Sequence, residues 1–163
     1  GLVGSEMCIR DRYKGRAVTV IAEDGFRDCE YLRKVVVASS VKTIENGAFL
    51  NCKKIHSISL SEGLTDIGSH VFTSSMIEEI TVPASVNHIG VQAFCPPSGK
   101  IDGEPILLKN VYFKDPTGWY YNKPYASGST LEAIPEDDIL NSEKMIKDHF
   151  LNTSHQLTEL IKK

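Results

Sequence analysis

The chain has 163 residues, a formal net charge of −3 and 24% charged residues. That length suits one domain on the usual scale of about 100 to 200 residues, and the acidic balance argues against a nucleic-acid surface, which needs a basic patch. No apolar run approaches the roughly 20 residues needed to cross a bilayer as a helix.

Residues 1–12, running from Gly1 through Ser5-Glu6-Met7-Cys8 to Arg12, read as a frame translation of the transposase adapter used to prepare sequencing libraries. Such a segment carries no fold information and is expected to be disordered. On this reading the natural chain continues upstream, its N-terminal cap is missing, and the sequence is silent about a signal peptide. Glu6 and Asp11 cancel Arg10 and Arg12, so the remainder keeps the same net charge.

From Val18 onward the chain repeats itself. Phe26, Phe49 and Phe72 recur at intervals of 23 residues, and Phe94 follows 22 later. Behind each of the first three comes an apolar trio: Leu32, Val35 and Val37, then Ile55, Ile58 and Leu60, then Ile77, Ile80 and Val82. Val41, Leu64 and Val86 correspond, as do Ile44, Ile67 and Ile89, and an incomplete first unit aligns Val18 with Val41 and Ile21 with Ile44. A period of this size marks a repeat array in which no unit can bury its apolar stripe alone. The last two residues of each trio have the alternation of a strand buried on one face. Stacking them predicts a parallel sheet with strands about 4.8 Å apart, over a ladder of phenylalanine rings. Lys34, Val36, Ser57, Ser59, Glu79 and Thr81 then face solvent. Gly47, Gly68 and Gly90 mark turns where a positive φ or a close backbone approach favours glycine. Pro83 sits after the third strand, where a missing amide donor is tolerable.

These residues carry a family resemblance. Val41-Lys-Thr-Ile44-Glu-Asn-Gly47-Ala48-Phe49-Leu-Asn-Cys52-Lys-Lys-Ile55-His-Ser-Ile58 resembles the bacterial surface antigen (BspA-like) type of leucine-rich repeat, and Val86-Asn-His-Ile89-Gly90-Val-Gln-Ala93-Phe94 fits the same unit. The departures are Glu45 in place of the usual Gly, Ser75 in place of Cys, and one residue lost between Phe72 and Ile77. The resemblance implies a mainly β leucine-rich-repeat solenoid over residues 13–94, with parallel strands and 22 to 23 residues per rung. It also implies a cell-surface or secreted protein that binds other proteins.

Residues 95–105, with Pro96, Pro97, Gly99 and Gly103, read as a loop. Residues 106–125 resemble the strand, turn and tryptophan that close such arrays, with Asp115-Pro116-Thr117-Gly118 matching a type I turn. Residues 126–163 read as a linker and helical segment. Met145, Ile146 and Phe150 share a helical face, and Thr153 with Gln156 forms a capping box for a last turn bearing Leu157, Leu160 and Ile161. The C-terminal cap is therefore an extended segment plus short α-helices.

No catalytic, cofactor or metal site is expected. Cys29 and Cys52 share one repeat position, one rung apart, and read as buried free thiols in preference to a disulfide, because their Cβ vectors run parallel. Cys95 has no partner at metal-ligand spacing. His56, His70, His88, His149 and His155 fall at unrelated phases and read as solvated or incidental. Glu136, Asp137 and Asp138 follow Pro135 and precede the helix, and read as serving loop solubility or a favourable interaction with the helix dipole. Asn152-Thr153-Ser154 matches a glycosylation sequon, meaningful only in a eukaryotic secreted context.

Two functional classes follow. The first is a noncatalytic protein-binding or adhesion scaffold, whose candidate surface is Arg33, Lys34, Val36, His56, Ser57, Ser59, Glu78, Glu79 and Thr81. The second is a carbohydrate-binding or ancillary module of a larger secreted enzyme, with Trp119, Tyr120, Tyr121 and Tyr125 as a stacking platform, since aromatic faces suit sugar rings as well as cores. The expected partner is a host, matrix or microbial surface protein, with a glycan as the alternative.

Overall fold

Alternation of apolar and polar residues places every second side chain of a strand in the core, and the repeats apply that rule twice per unit. In the computed structural model, which describes residues 2–3, 6–95, 100–101, 104–105, 108–122, 131–150 and 159–163, each unit contributes one strand to each of two ladders. The first ladder is parallel: Lys34 pairs with Ser57, Val35 with Ile58 and Val36 with Ser59. The second is also parallel and runs through Val20–Ile21, Thr43–Ile44, Asp66–Ile67 and His88–Ile89, with Ile21, Ile44, Ile67 and Ile89 in one register. All four isoleucines are buried. Val35, Val37, Ile55, Ile80 and Val82 are buried in the same core, with Ile58 half-buried against it.

The phenylalanine ladder lies between the two. Phe26 stacks on Phe49 at 5.2 Å, Phe49 on Phe72 at 5.3 Å and Phe72 on Phe94 at 6.0 Å, with planes inclined by no more than 12°. Fully burying such a side chain contributes about 1.5 to 3 kcal/mol. Phe150 then meets Phe94 edge-on, at 5.4 Å and 70°, and ends the stack.

Phe26, Phe49 and Phe72 each sit between two left-handed residues, and Phe94 follows one. Two positions before the rings, Asp24, Gly47, His70 and Gln92 have φ of 51°, 64°, 58° and 54°; two positions after, Asp28, Asn51 and Ser74 have 58°, 61° and 67°. Only Gly47 announces this turn in the sequence. Gly68 and Gly90 serve a different need, close approach between successive units: a Cβ at Gly90 would lie 2.4 Å from Ser69 N, and one at Gly68 would lie 2.7 Å from Asn46 N. Glu45 occupies the same repeat position, and its carboxylate accepts the Glu23 amide at 2.8 Å. This departure from glycine therefore satisfies a backbone donor one unit earlier.

The lost residue between Phe72 and Ile77 also has a visible consequence. The first ladder's regular pairing stops after Ser57–Ser59, and the next strand, Glu79–Val82, keeps contact through Met76 N donating to Ile55 O at 2.7 Å. Glu79–Val82 pairs instead, in parallel, with Asn110–Phe113. That later strand occupies the place of one more rung. Its outer edge is plugged by Ser142, whose Oγ accepts from Val111 N at 3.1 Å and donates to Val111 O at 3.0 Å.

The C-terminal region combines helix with sheet. Glu136–Ile139 and Ser142–Met145 form two short helices, continued by a π-helical turn over Ile146–Phe150. Ile139, Met145, Ile146 and Phe150 are buried against the end of the core. The first of these helices has Glu136, Asp137 and Asp138 in its first turn, where the helix dipole favours them. The helical reading of Leu160 and Ile161 is corrected: Glu159–Lys162 is a strand, antiparallel both to His88–Ile89 and to Trp119–Asn122. The free edge of His88–Ile89 offers unpaired backbone groups, and pairing them outweighs a local helical preference. Thr153, Gln156 and Leu157 lie outside the described residues.

Two further expectations change. Lys100–Ile101 and Glu104–Pro105 pair antiparallel within the segment read as a loop. Glu6–Cys8, expected to be disordered, lies parallel to Lys34–Val36 with Met7 buried. An edge strand with an apolar row beneath it favours any adjacent segment that alternates correctly.

Candidate functional site

The solvent face of the first ladder gathers the sequence-predicted surface residues into rows. Lys34 and Ser57 stand side by side, as do Val36 and Ser59; Ser59, Glu79 and Thr81 are exposed, while Lys34, Val36 and Ser57 are half-buried. Arg33, His56 and Glu78 are exposed and share one repeat position, just before the strands. There the backbone links the units: Arg33 O accepts from His56 N at 3.0 Å, and Glu78 O accepts from Lys109 N at 2.6 Å. All nine residues therefore lie on or beside one strip. The break after Ser57–Ser59 divides it in two.

The structure extends this strip beyond the residues legible in the repeats. Asn110 stands opposite Glu79, and Tyr112 opposite Thr81. Tyr112 is 50% exposed, and tyrosine is enriched at protein interfaces because a large rigid ring ends in a polar group. The signal for it was the alternation Val111, Tyr112, Phe113, which continues the strand pattern without the repeat's spacing.

Charges along the strip are partly neutralised in place. Lys34 meets Glu6 at 3.0 Å, Glu78 meets Lys109 at 3.0 Å, and Glu62 at the margin meets Lys114 at 2.9 Å. Hydrogen bonds from Lys34 and Lys114 hold the Glu6 and Glu62 carboxyls below their ordinary range. Exposed pairs of this kind contribute about 0 to 1 kcal/mol, so they orient side chains more than they stabilise the fold.

The aromatic platform is corrected at its centre. Trp119 is 1% exposed, packs edge-on against Phe113 at 5.2 Å, and donates from Nε1 to Asp115 O at 3.0 Å. It offers no ring face to a sugar. Tyr120 and Tyr121 are half-buried, the first beneath the Lys163 ammonium at 5.4 Å, the second bonded through its hydroxyl to Glu132, which pushes its pKa up. Tyr125 lies outside the described residues.

Cys29 and Cys52 are free thiols. Burial pushes the Cys52 thiol up to about 12, and its Sγ donates to Phe26 O at 3.0 Å. A thiol held neutral is a poor nucleophile and a poor metal ligand. At the position equivalent to Cys52, Ser75 is buried and donates at 2.7 Å to Phe72 O, the phenylalanine carbonyl of its own unit, where Cys52 reaches that of the unit before. Burial also raises the Cys95 thiol.

Of the histidines, His88 lies 3.9 Å from Asp66 and 3.4 Å from Glu159, bridging the second ladder to the last strand. His70 holds one of the left-handed turns, His149 packs on Tyr121 at 5.3 Å, and His155, like the Asn152 sequon, lies outside the described residues. A shallow groove of about 320 Å³ crosses the second ladder, lined by Glu23, Thr43, Glu45, Asn46, Asp66 and His88 among others. Among the described residues, no group of three or more His, Cys, Asp or Glu side chains is placed to hold a metal ion, and no helix is long and apolar enough to cross a membrane.

No curated protein matches the chain. Among solved structures, a leucine-rich repeat protein of T. pallidum is 27% identical, with a TM-score of 0.46, over 56% of this chain and 54% of its own. A leucine-rich repeat protein from Bacteroides ovatus is 22% identical, with a TM-score of 0.45, over 66% of this chain and 33% of its own. A leucine rich cell surface protein from Faecalibacterium prausnitzii is 21% identical, with a TM-score of 0.40, over 68% of this chain and 32% of its own. The chain thus spans about half the length of the first and about a third of the other two. The family model for the BspA type leucine rich repeat region matches residues 14–99, more than half of the sequence. The chain belongs to the BspA-type leucine-rich repeat family.

Proposed function

We propose that this chain is part of a leucine-rich-repeat solenoid that acts as a noncatalytic protein-binding and adhesion scaffold, at the cell surface or secreted. The observation that carries the reading is the strip on the first ladder. Side chains from separate units stand in register there, on strands whose opposite face is locked into the core, so a partner meets a rigid surface that loses little conformational freedom on binding. Repeat arrays use such extended faces for recognition. Polar rows of mixed sign, with Val36 and Tyr112 as apolar contacts, suit a protein surface better than a small molecule, which favours a concave apolar pocket.

The test is capture of extracellular host and matrix proteins by the immobilised chain, compared with a variant carrying Lys34→Ala, Ser57→Ala, Glu79→Ala and Tyr112→Ala. The captured protein is expected to bind the variant at least tenfold more weakly while circular dichroism is unchanged. Equal capture by both would overturn the reading. A glycan-binding role has lost its main support, because the Trp119 ring is enclosed.

A further inference from the structure

The solvent-facing strip is not uniform along its length: its charge changes sign where the first ladder breaks. In the unit upstream of the break, Lys53, Lys54 and His56 are exposed. That unit has a neighbour on either side, with Lys34–Val36 paired before it and Met76 N bonded to Ile55 O after it. The exposure of its side chains therefore owes nothing to a chain end. Arg33 stands beside His56 at the same repeat position, and Arg33 O accepts from His56 N at 3.0 Å. Among the described residues, Arg33, Lys53 and Lys54 have no carboxylate in ion-pair contact; Lys34, which meets Glu6, is not one of them. Glu30, at the position equivalent to Lys53, offsets part of this charge and leaves a basic excess. Across the break the sign reverses. Glu78 and Glu79 are both exposed. Glu78 is met by Lys109 at 3.0 Å, while Glu79, opposite Asn110, has no cation in ion-pair contact among the described residues.

Lys54 is held in place before any partner arrives. Its ammonium lies 5.9 Å from the centroid of the Tyr31 ring, which belongs to the unit before, and its carbonyl lies 3.3 Å from His56 Nδ1. A cation attracted to an aromatic face loses less freedom on binding than a loose lysine does. Tyr31 is 79% exposed, so its ring also offers apolar area to a partner.

A uniformly anionic polymer, such as a sulfated polysaccharide or a nucleic acid, gains at Arg33, Lys53 and Lys54 and is repelled at Glu79 in the next unit. A polypeptide can change sign within that distance. Rungs stand about 4.8 Å apart, and alternate side chains of an extended peptide recur about every 6.5 to 7 Å.

We infer that the strip is a bipolar receptor for a polypeptide segment whose own charge reverses: a cluster of Asp or Glu that meets Arg33, Lys53 and Lys54, flanked on one side by a Lys or Arg that meets Glu79. This rests on the reading of the strip as a protein-binding face and adds the partner's charge pattern. Like charges brought opposite one another disfavour the reversed pairing, so the pattern fixes the orientation in which the segment lies.

The probe is a fluorescent peptide in which a run of glutamates is joined through serines to a pair of lysines, titrated into the full chain at an ionic strength of about 0.05 M. Saturable binding is expected, weakened severalfold at about 0.3 M, where screening acts over about 5 to 6 Å. Lys54→Glu is expected to weaken it at least tenfold with unchanged circular dichroism. Lys42→Glu makes the same charge change at an exposed position just before Thr43–Ile44 of the second ladder, and is expected to alter binding less than twofold. Glu79→Lys is expected to weaken this peptide severalfold and to strengthen binding of an all-glutamate peptide of the same length. No binding, equal effects of Lys54→Glu and Lys42→Glu, or tighter binding of the all-glutamate peptide or of a heparin fragment by the unmodified chain would overturn the inference. The capture experiment separates it from the broader reading. Capture lost with the quadruple alanine variant yet unchanged by Lys54→Glu would keep the strip as a binding face and overturn its charge assignment alone.

Discussion

Phe72→Ala removes a fully buried ring from the interior of the stack, where Phe49 lies at 5.3 Å on one side and Phe94 at 6.0 Å on the other. Deleting a buried phenylalanine costs about 3 to 5 kcal/mol, from lost transfer energy plus the cavity left behind. Phe26→Ala makes the same change at the end of the ladder, where the ring is half-buried and stacks on Phe49 at 5.2 Å. Half the burial gives about 1 to 2 kcal/mol, and with solvent on one side no closed cavity forms. In a chain of this size 1 kcal/mol shifts the melting temperature by about 2 to 4 °C. Phe72→Ala is thus expected to lower it by about 6 to 20 °C, and Phe26→Ala by about 2 to 8 °C. Thermal unfolding followed by far-ultraviolet circular dichroism reads both, with urea m-values checking that the unfolded state is unchanged. Equal losses at the two positions would refute the stacking argument, because it is the neighbour on each side that separates them.

Three other outcomes follow from single contacts. Gln92, with φ of 54°, holds a conformation that costs a non-glycine residue about 1 to 2 kcal/mol, while glycine adds about 0.5 to 1 kcal/mol of unfolded-state entropy; Gln92→Gly is therefore expected to stabilise the chain by up to about 1 kcal/mol in urea titrations, and a destabilised variant would contradict the turn geometry. Ser142→Ala leaves the Val111 amide and carbonyl without their hydroxyl partner, at about 1 to 3 kcal/mol for each buried group left unsatisfied, and a loss below about 0.5 kcal/mol would show that water plugs the edge equally well. The Lys162 ammonium, then Thr117, holds Asp115 at about 2 instead of its ordinary 3.8. A carboxyl with a lowered folded pKa stabilises the chain above the unfolded value, and that contribution drains as pH falls toward the folded one. Asp115→Asn is accordingly less stable than the unmodified chain at pH 7, and the gap closes between about pH 4 and pH 2. A gap that persists to pH 2 would mean that the charge is not its source.

The parts of the fold written locally and repeatedly were legible in the sequence. Phe26, Phe49, Phe72 and Phe94 stack as their spacing indicates, and the alternation of Val35, Val36 and Val37 matches the buried and half-buried faces. What escaped depends on partners distant in the chain. Leu160 and Ile161 suit a helix turn as well as a strand, and the choice is made by the open edge of His88–Ile89, more than 70 residues earlier. Met7 is drawn into the core by Val35, not by its own neighbours. The left-handed turns at His70 and Gln92 were hidden because the surrounding stack imposes a conformation that the residue types do not favour. For the candidate surface, spacing alone identified residues on or beside one strip. Tyr112 was missed because Asn110–Phe113 takes a rung's place without the phenylalanine that marks the others.

The most direct test of the binding account is a footprint. With a protein captured from extracellular material bound to the chain, amide hydrogen exchange and side-chain labelling are expected to show protection centred on Lys34–Val36, Ser57–Ser59, Glu79–Val82 and Tyr112. Exchange on the second ladder, at Thr43, Asp66 and His88, is expected to stay unchanged. Protection confined to that second ladder, or to Trp119–Asn122, would contradict the assignment of the first ladder's outer face as the binding surface.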